Sequence, residues 1–195
     1  MNYLEVLMKR YACRNFKPIK LPDEKVNELI EVIRLTPSAL NLQPWRIKIV
    51  KDEMVKEELF KYSMGQEHVR SCSHLLVFCA NTDIDEVIKK ADEAMKRAGL
   101  SEERRQHMLS IAYAIKDKLD RHWAREQVFI ALGNAVIGAK ALGFDSCPMT
   151  GFDPGGYSEV LGLPRHIEPV ALCAIGYGEE APTPKVRLSK EEILL

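Results

Sequence analysis

The chain has 195 residues, and its 28 lysines and arginines balance its 28 aspartates and glutamates. This neutral balance argues against nucleic acid as the main partner, because proteins that follow phosphate backbones carry a basic excess. An apolar content of 46% excludes intrinsic disorder. The length predicts one domain, residues 1–195, with a core that needs no disulfide or metal.

The location predicted from the sequence is the cytoplasm. No apolar run reaches the ~20 residues of a membrane helix, and the best segment, 128–142, is interrupted by Asn134 and Lys140. The first ten residues lack the cleavable apolar region of a signal peptide. The five cysteines are scattered without a C-x-x-C pair, which is typical of a reducing compartment and argues against a metal site.

The first part of the chain predicts short helices around two strands. In chain order these elements are a helix over 2–10 with Tyr3, Leu4 and Leu7 on one apolar stripe, an extended basic arm over 11–20, a helix from 22 that Pro37 ends, a loop over 37–44, a strand over 46–50, a helix over 53–62 and a buried strand over 75–80. The last of these is assigned from its continuous apolar run.

The second part predicts helices first and then two strands. In order these are helical stripes over 84–98 and 108–119, an apolar helix over 123–142, strands over 144–149 and 170–177 with a Gly/Pro-rich turn region between them, and a tail from 178. A helix that is apolar on almost every face must be buried on all sides, in the core or against another chain. The fold class predicted is α+β, a small mixed or antiparallel sheet covered by helices with a central buried helix.

Several well-known motifs are absent or fail on spacing. There is no G-x-G-x-x-G, G-x-S-x-G or H-E-x-x-H, and the P-loop-like segment 133–140 has its lysine one position late. The glycines of that segment are better explained by close helix packing. Of the five histidines, only His68 is kept as a functional candidate.

The placement of cations leaves two interpretations. Arg10 and Arg14 lie in the arm near one end of the chain, and Lys185 and Arg187 lie in the tail at the other. They are either solvated surface charges or two groups that converge on a dianionic phosphate, where arginine and lysine give charge-assisted hydrogen bonds. Composition does not choose between these.

Five motifs, in order and spaced along nearly the whole chain, resemble the FMN-dependent nitroreductase family. They are Arg10 to Phe16 (RYACRNF), Thr36 to Trp45 (TPSALNLQPW), Ala131 to Ala135 with Ala141 to Phe144, Gly151 to Asp153, and Ala174 to Gly178 followed by Pro184 to Leu188. The resemblance implies an intertwined homodimer with two FMN sites at the subunit interface. It also implies ping-pong chemistry, in which NAD(P)H reduces the flavin and a small acceptor such as a nitroaromatic or quinone takes the electrons.

The resemblance also assigns roles to individual residues. The phosphate contacts match Arg10, Lys185 and Arg187, and a cation at the N1/O2 edge of the flavin matches Arg14. An amide contact to the ring matches Gln66, and the loop supplied by the partner chain matches Pro37, Ser38, Ala39 and Asn41. The segment under the ring near N5 matches Pro148, Thr150 and Gly151. A cation at that edge would stabilise the reduced, anionic flavin and so set its potential. Hydride transfer takes place on the cofactor, so no catalytic side chain and no metal are predicted.

Two positions depart from the family pattern. Ala12 replaces the usual serine and leaves only its backbone to contribute to the phosphate site, and His68 stands where some members have lysine. The helical excursion over 84–120 lies where substrate specificity varies most, so the acceptor is not predicted. Two alternatives to an enzyme stay open: a flavin-binding storage or sensing protein without turnover, and an interaction-only homodimer.

Overall fold

A four-stranded sheet forms the centre of the protein in the computed structural model, which describes residues 1–182 and 184–195. The strands are β1 (Trp45–Val50), β2 (His74–Asn81), β3 (Asp145–Met149) and β4 (Ile167–Gly176). Their order is β1-β2-β4-β3, and every neighbouring pair is antiparallel. The α+β class is therefore confirmed, and the sheet is antiparallel rather than mixed.

Helices surround the sheet. They are α1 (Tyr3–Lys9), α2 (Asp23–Arg34), α3 (Glu53–Phe60), α4 (His68–Ser71), α5 (Ile84–Arg97), α6 (Glu102–Ala114), α7 (Arg121–Ala141), α8 (Pro154–Leu161) and α9 (Lys190–Ile193). Single 3₁₀ turns occur at Ala39–Asn41 and Lys116–Lys118. None of the helices in the part of the chain described is long and apolar enough to cross a membrane.

Apolar layers cover both faces of the sheet. All eight residues of β2 are buried, as its continuous apolar sequence predicts. The α2 and α7 helices pack on one face, where Leu29 and Ala135 are fully buried in one cluster with Phe78 of β2. The arm, α3 and α8 cover the other face, in a cluster that includes Tyr157. The arm and the two middle strands are thereby fixed relative to one another.

The α7 helix begins at a well-formed cap and runs close to α2. The Asp120 side chain accepts a hydrogen bond from the Trp123 N–H at 2.9 Å. A Cβ at Gly138 would lie 2.8 Å from a methyl carbon of Val32, so this glycine permits the close approach of the two helices, as the sequence predicts. No neighbour within the described residues lies within 4 Å of such a Cβ at Gly133, so no helix of the same chain packs closely there.

One face of α7 is not covered by its own chain. Phe129 and Ile130 are 46% and 43% exposed, whereas the opposite face, which includes Ala131 and Ala135, is buried. Within one chain the predicted burial on all sides is therefore wrong. For Phe129 and Ile130, burial against another chain stays a prediction.

Tyr3 and Leu4 are 64% and 71% exposed, so these residues of the apolar stripe on α1 face outward, and Val6 is the buried residue of the helix. Two further predictions need correction. The expected turn region between β3 and β4 contains α8, capped by Asp153 with proline at its first position. The α2 helix ends at Arg34, three residues before Pro37.

Candidate active site

The basic arm lies along the free edge of β3. Ala12 forms a parallel bridge with Ser146, and the Cys13 N–H donates to the Ser146 carbonyl at 3.1 Å. Further along, the Lys17 N–H donates to the Tyr177 carbonyl at 2.8 Å. These backbone bonds place the side chains from Arg10 to Arg14 beside β3. Ala12 takes part in this pairing through its backbone, and its backbone contribution to the phosphate site stays a prediction.

The tail after β4 is fastened to the arm. The Glu180 side chain accepts a hydrogen bond from the Arg14 N–H at 2.6 Å, and its carbonyl accepts one from the Tyr11 hydroxyl at 2.9 Å. A Cβ at Gly178 would lie 2.6 Å from that hydroxyl oxygen, so only glycine allows the two segments to approach so closely. Glu180 is a site residue that the sequence motifs do not reveal.

Three cations meet where the arm and tail converge. The Lys185 Nζ donates to the Arg10 carbonyl at 2.6 Å. Burial lowers the pKa of Lys185, and the charges of Arg10 and Arg187 lower it further, so both arginines are within electrostatic range of the lysine. None of the three forms an ion pair with a carboxylate of the described residues, and Arg187 donates to the Val186 carbonyl instead. Gathering like charges without a counterion is unfavourable, and a dianionic phosphate would relieve it.

A turn follows β3 and lies against the segment that contains Gln66. The Gln66 side-chain amide donates to the Gly151 carbonyl and to the Ser63 carbonyl, the latter at 3.1 Å. Within the described residues, the Gly151 N–H donates to no partner, and Thr150 is exposed beside it. Pro148 is half-buried in β3 itself. The turn thus presents a free backbone donor at the position that the sequence matches to the flavin N5.

His68 lies behind the same turn. Its imidazole is buried, and its Nε2 is 3.0 Å from the Met149 sulfur. Burial lowers the pKa of His68, the charge of Arg14 lowers it further, and the carboxylate of Glu180 acts in the opposite direction. His68 is therefore within electrostatic reach of both the arm and the tail. We name the arm (residues 10–17), this turn (148–151) and the described part of the tail (178–182 and 184–187) the arm–tail half of the site.

The second half is a loop that is hydrogen-bonded to α7. The Ala39 N–H donates to the Gln127 side-chain oxygen at 2.8 Å, and the Ser38 hydroxyl accepts from the Gln43 N–H at 2.9 Å. Leu40 and Asn41 have left-handed backbones, with φ of 52° and 54°, so the segment curls into a tight turn. Pro37 is exposed at its start. We name residues 37–43 the loop half.

The two halves are not joined within one chain. Across residues 1–182 and 184–195, no hydrogen bond or ion pair links the loop half to the arm–tail half. A cavity of about 640 Å³ lies elsewhere, between the start of α7 and the segment before β4, and none of the predicted residues lines it. The candidate site is thus a pair of separate surfaces in a single chain.

Comparison with known proteins gives the chain its relatives. The Nitroreductase family profile matches residues 7–177. The NADH dehydrogenase of Thermus thermophilus is 35% identical over 96% of this chain and 92% of its own length. The major NAD(P)H-flavin oxidoreductase of Aliivibrio fischeri is 29% identical over 96% and 95%. A protein from Exiguobacterium sibiricum solved in complex with FMN has the same fold, with a TM-score of 0.90 at 23% identity over 100% of this chain and 96% of that one.

Proposed function

The chain belongs to the nitroreductase family, and from that membership we propose that it passes electrons from NAD(P)H to a small organic acceptor, a nitroaromatic or quinone, in a ping-pong sequence. It is an NAD(P)H-dependent flavin oxidoreductase, and its cofactor is FMN. The proposal covers the acceptor, the ping-pong order, the assembly of the site and the roles of its residues.

The observation that carries the proposal is the cation group of Arg10, Lys185 and Arg187. Burial and the charges of the two arginines lower the pKa of Lys185, and none of the three cations forms an ion pair with a carboxylate of the described residues. The terminal phosphate of FMN is a monoester with two negative charges, whereas the bridging phosphates of FAD carry one each. Three cations at one point therefore suit FMN better than FAD, and they would hold it without a covalent bond.

The remaining residues would orient the ring and stabilise charge. Bound FMN supplies hydride acceptance from nicotinamide and electron transfer to the acceptor. Arg14 would place positive charge where negative charge develops on reduction. The free Gly151 N–H would donate to the ring, and the Gln66 amide, which holds the Gly151 carbonyl, would fix the direction of that donor. The chain needs no acid–base side chain for the transfer itself.

We propose that a second copy of the chain brings the loop half of one protomer to the arm–tail half of the other. The exposed Phe129 and Ile130 of α7, together with Tyr3 and Leu4 of α1, provide apolar surface for such an interface. Closing the site would also exclude water from the ring. A homodimer with two FMN sites follows.

The domain organisation and location belong to the same proposal. All five cysteines are free and buried, which suits a reducing compartment, and we propose the cytoplasm. Residues 1–195 would act as one domain, because the arm and tail needed for the site come from opposite ends of the chain. Fractionation of cells that produce the protein tests the location.

The test is the absorption spectrum of the purified protein. It should be yellow, release FMN and not FAD on denaturation, and lose its visible absorption when NADH or NADPH is added without oxygen. Rates with varied NAD(P)H and acceptor should give parallel double-reciprocal lines. Bound flavin that NAD(P)H does not reduce would support a storage or sensing protein instead, and a colourless protein that gains no absorption with added FMN would support an interaction-only dimer.

A further inference from the structure

His68 is a buried titratable residue that the proposed electron transfer does not use. It lies on α4, directly after the segment in which Gln66 contacts the Gly151 carbonyl, and its Nε2 contacts the Met149 sulfur at 3.0 Å. Residues 66–68 therefore hold the 149–151 turn at two points. The contact with a sulfur acceptor favours the neutral imidazole with its proton on Nε2, which leaves Nδ1 available to take up a second proton.

The charged groups that face His68 come from the arm and the tail. Arg14 of the arm lowers its pKa and Glu180 of the tail raises it, while the β3 residue in contact, Met149, is uncharged. Burial is the largest effect, so the imidazole is neutral near pH 7 in the chain as it stands. A residue that responds to the charge of Arg14 must also respond to any charge that is placed beside Arg14.

We propose that His68 takes up one proton when bound FMN is reduced, so that the transfer of two electrons is coupled to two protons rather than one. The hydride from NAD(P)H brings two electrons and one proton to the flavin, and the second proton passes from water to His68 Nδ1. Both protons leave again when an acceptor takes the electrons. This inference rests on the proposed function, which places the flavin beside Arg14.

The physical basis is the sign of the charge. Reduction adds negative charge to the ring, and negative charge nearby raises the pKa of a histidine. Between the lower pKa of the oxidised state and the higher one of the reduced state, His68 is neutral before reduction and protonated after it. In that interval the equilibrium constant for reduction of the flavin changes a further tenfold per pH unit, which shifts the potential of a two-electron couple by about 30 mV.

The experiment is the midpoint potential of the FMN-loaded protein measured by spectroelectrochemistry across about pH 6 to 8. The midpoint potential of the natural protein should fall by about 59 mV per pH unit near neutrality, and that of His68→Gln should fall by about 30 mV per pH unit throughout. Glutamine keeps a donor for the Met149 sulfur and does not titrate. The matched control is His74→Asn, because His74 is also buried with a lowered pKa but is influenced by Lys20, Asp23, Lys51 and Lys56 instead of Arg14. This control should keep the steep slope.

Each outcome decides between the alternatives. A slope of about 30 mV per pH unit in the natural protein overturns the inference without any variant. A steep slope that survives in His68→Gln also overturns it, because another group then takes the proton. If His68→Gln loses its flavin, the number of protons taken up per two electrons by the natural protein decides instead, measured with an indicator dye. One proton excludes the inference. Two protons support it only if the NMR resonance of His68 also shifts on reduction, and overturn it otherwise. Failure to bind FMN at all contradicts the proposed function instead.

Discussion

The two halves of the candidate site differ in how they are built. The arm–tail half joins residues from opposite ends of the chain and carries the charge, through contacts such as Lys185 to Arg10 and Glu180 to Arg14. The loop half is local, uncharged in its backbone contacts and held on α7 by the amide of Gln127. On the proposed function, the difference predicts a division of roles: the arm–tail half would provide affinity for an anion, and the loop half would provide the shape that closes over the ring.

The largest effect is expected when the two halves are prevented from meeting. Phe129→Glu places a carboxylate in the exposed apolar face of α7, and burying an unpaired charge in an interface is strongly unfavourable. We expect the mass in light scattering to fall from about twice 22.2 kDa to 22.2 kDa, with FMN affinity reduced more than about 100-fold. Met54→Glu, which changes an equally apolar but more exposed residue on α3, should do neither. A monomer that keeps its flavin would show that the arm–tail half suffices.

Loss of a single phosphate contact should be the next largest effect. Lys185→Ala removes a charge-assisted hydrogen bond worth about 1.5–3 kcal/mol, which is about a 10- to 150-fold loss of FMN affinity. Arg187→Ala should act in the same direction. Fluorescence titration of the flavin-free protein measures both. Lys190→Ala, in the same tail but outside the cation group, is the control, and equal loss there would mean that the tail acts only by net charge.

Arg14 should affect potential more than affinity. Arg14→Gln keeps hydrogen-bonding ability but removes the charge that stabilises the reduced ring. A differential interaction of about 1.4 kcal/mol corresponds to a fall of roughly 30 mV in the two-electron potential. FMN occupancy should change less, because the oxidised ring is neutral and the phosphate contacts remain. Lys17→Gln, three residues along the arm, should leave the potential unchanged; if both variants shift it equally, Arg14 has no special position.

The smallest effect should come from the loop half. Gln127→Ala removes the acceptor for the Ala39 N–H, a neutral hydrogen bond worth about 0.5–1.5 kcal/mol, so FMN affinity should fall about two- to tenfold. Gln106→Ala, exposed on α6, serves as control. The double variant Gln127→Ala/Lys185→Ala sharpens the comparison. If the halves act independently, their free-energy changes should add, whereas strong coupling would mean that the loop also orders the cation group.

Local signals in the sequence were sufficient for the regular elements. The apolar run of β2 and the spacing of Val26, Leu29 and Ile33 on α2 determine those elements directly, because burial follows hydrophobic periodicity. The motifs determined the family and therefore the fold class. The α8 helix had signals too, since Asp153 and Pro154 form a helix start, but the two glycines that follow favour a turn by propensity.

Tertiary structure decided burial and partnership. Lys56 lies in a charged stretch that reads as surface, yet it is 1% exposed because its Nζ donates to the carbonyls of Arg70 and Cys72, at 3.1 and 2.6 Å. Tyr3 and Leu4 belong to an apolar stripe, yet both are exposed. A sequence pattern shows that a face is apolar, but which surface covers it depends on the packing of distant elements.

The same division applies to the site. The sequence by itself determined which residues are candidates, because the cations and the motif residues are visible as letters in order. Only the tertiary structure decided that Lys185 donates to Arg10, that Glu180 accepts from Arg14, and that Gln127 accepts from Ala39 of the loop half. These contacts join residues 175, 166 and 88 positions apart, and such partners are chosen by the geometry of the folded backbone, which no local propensity encodes.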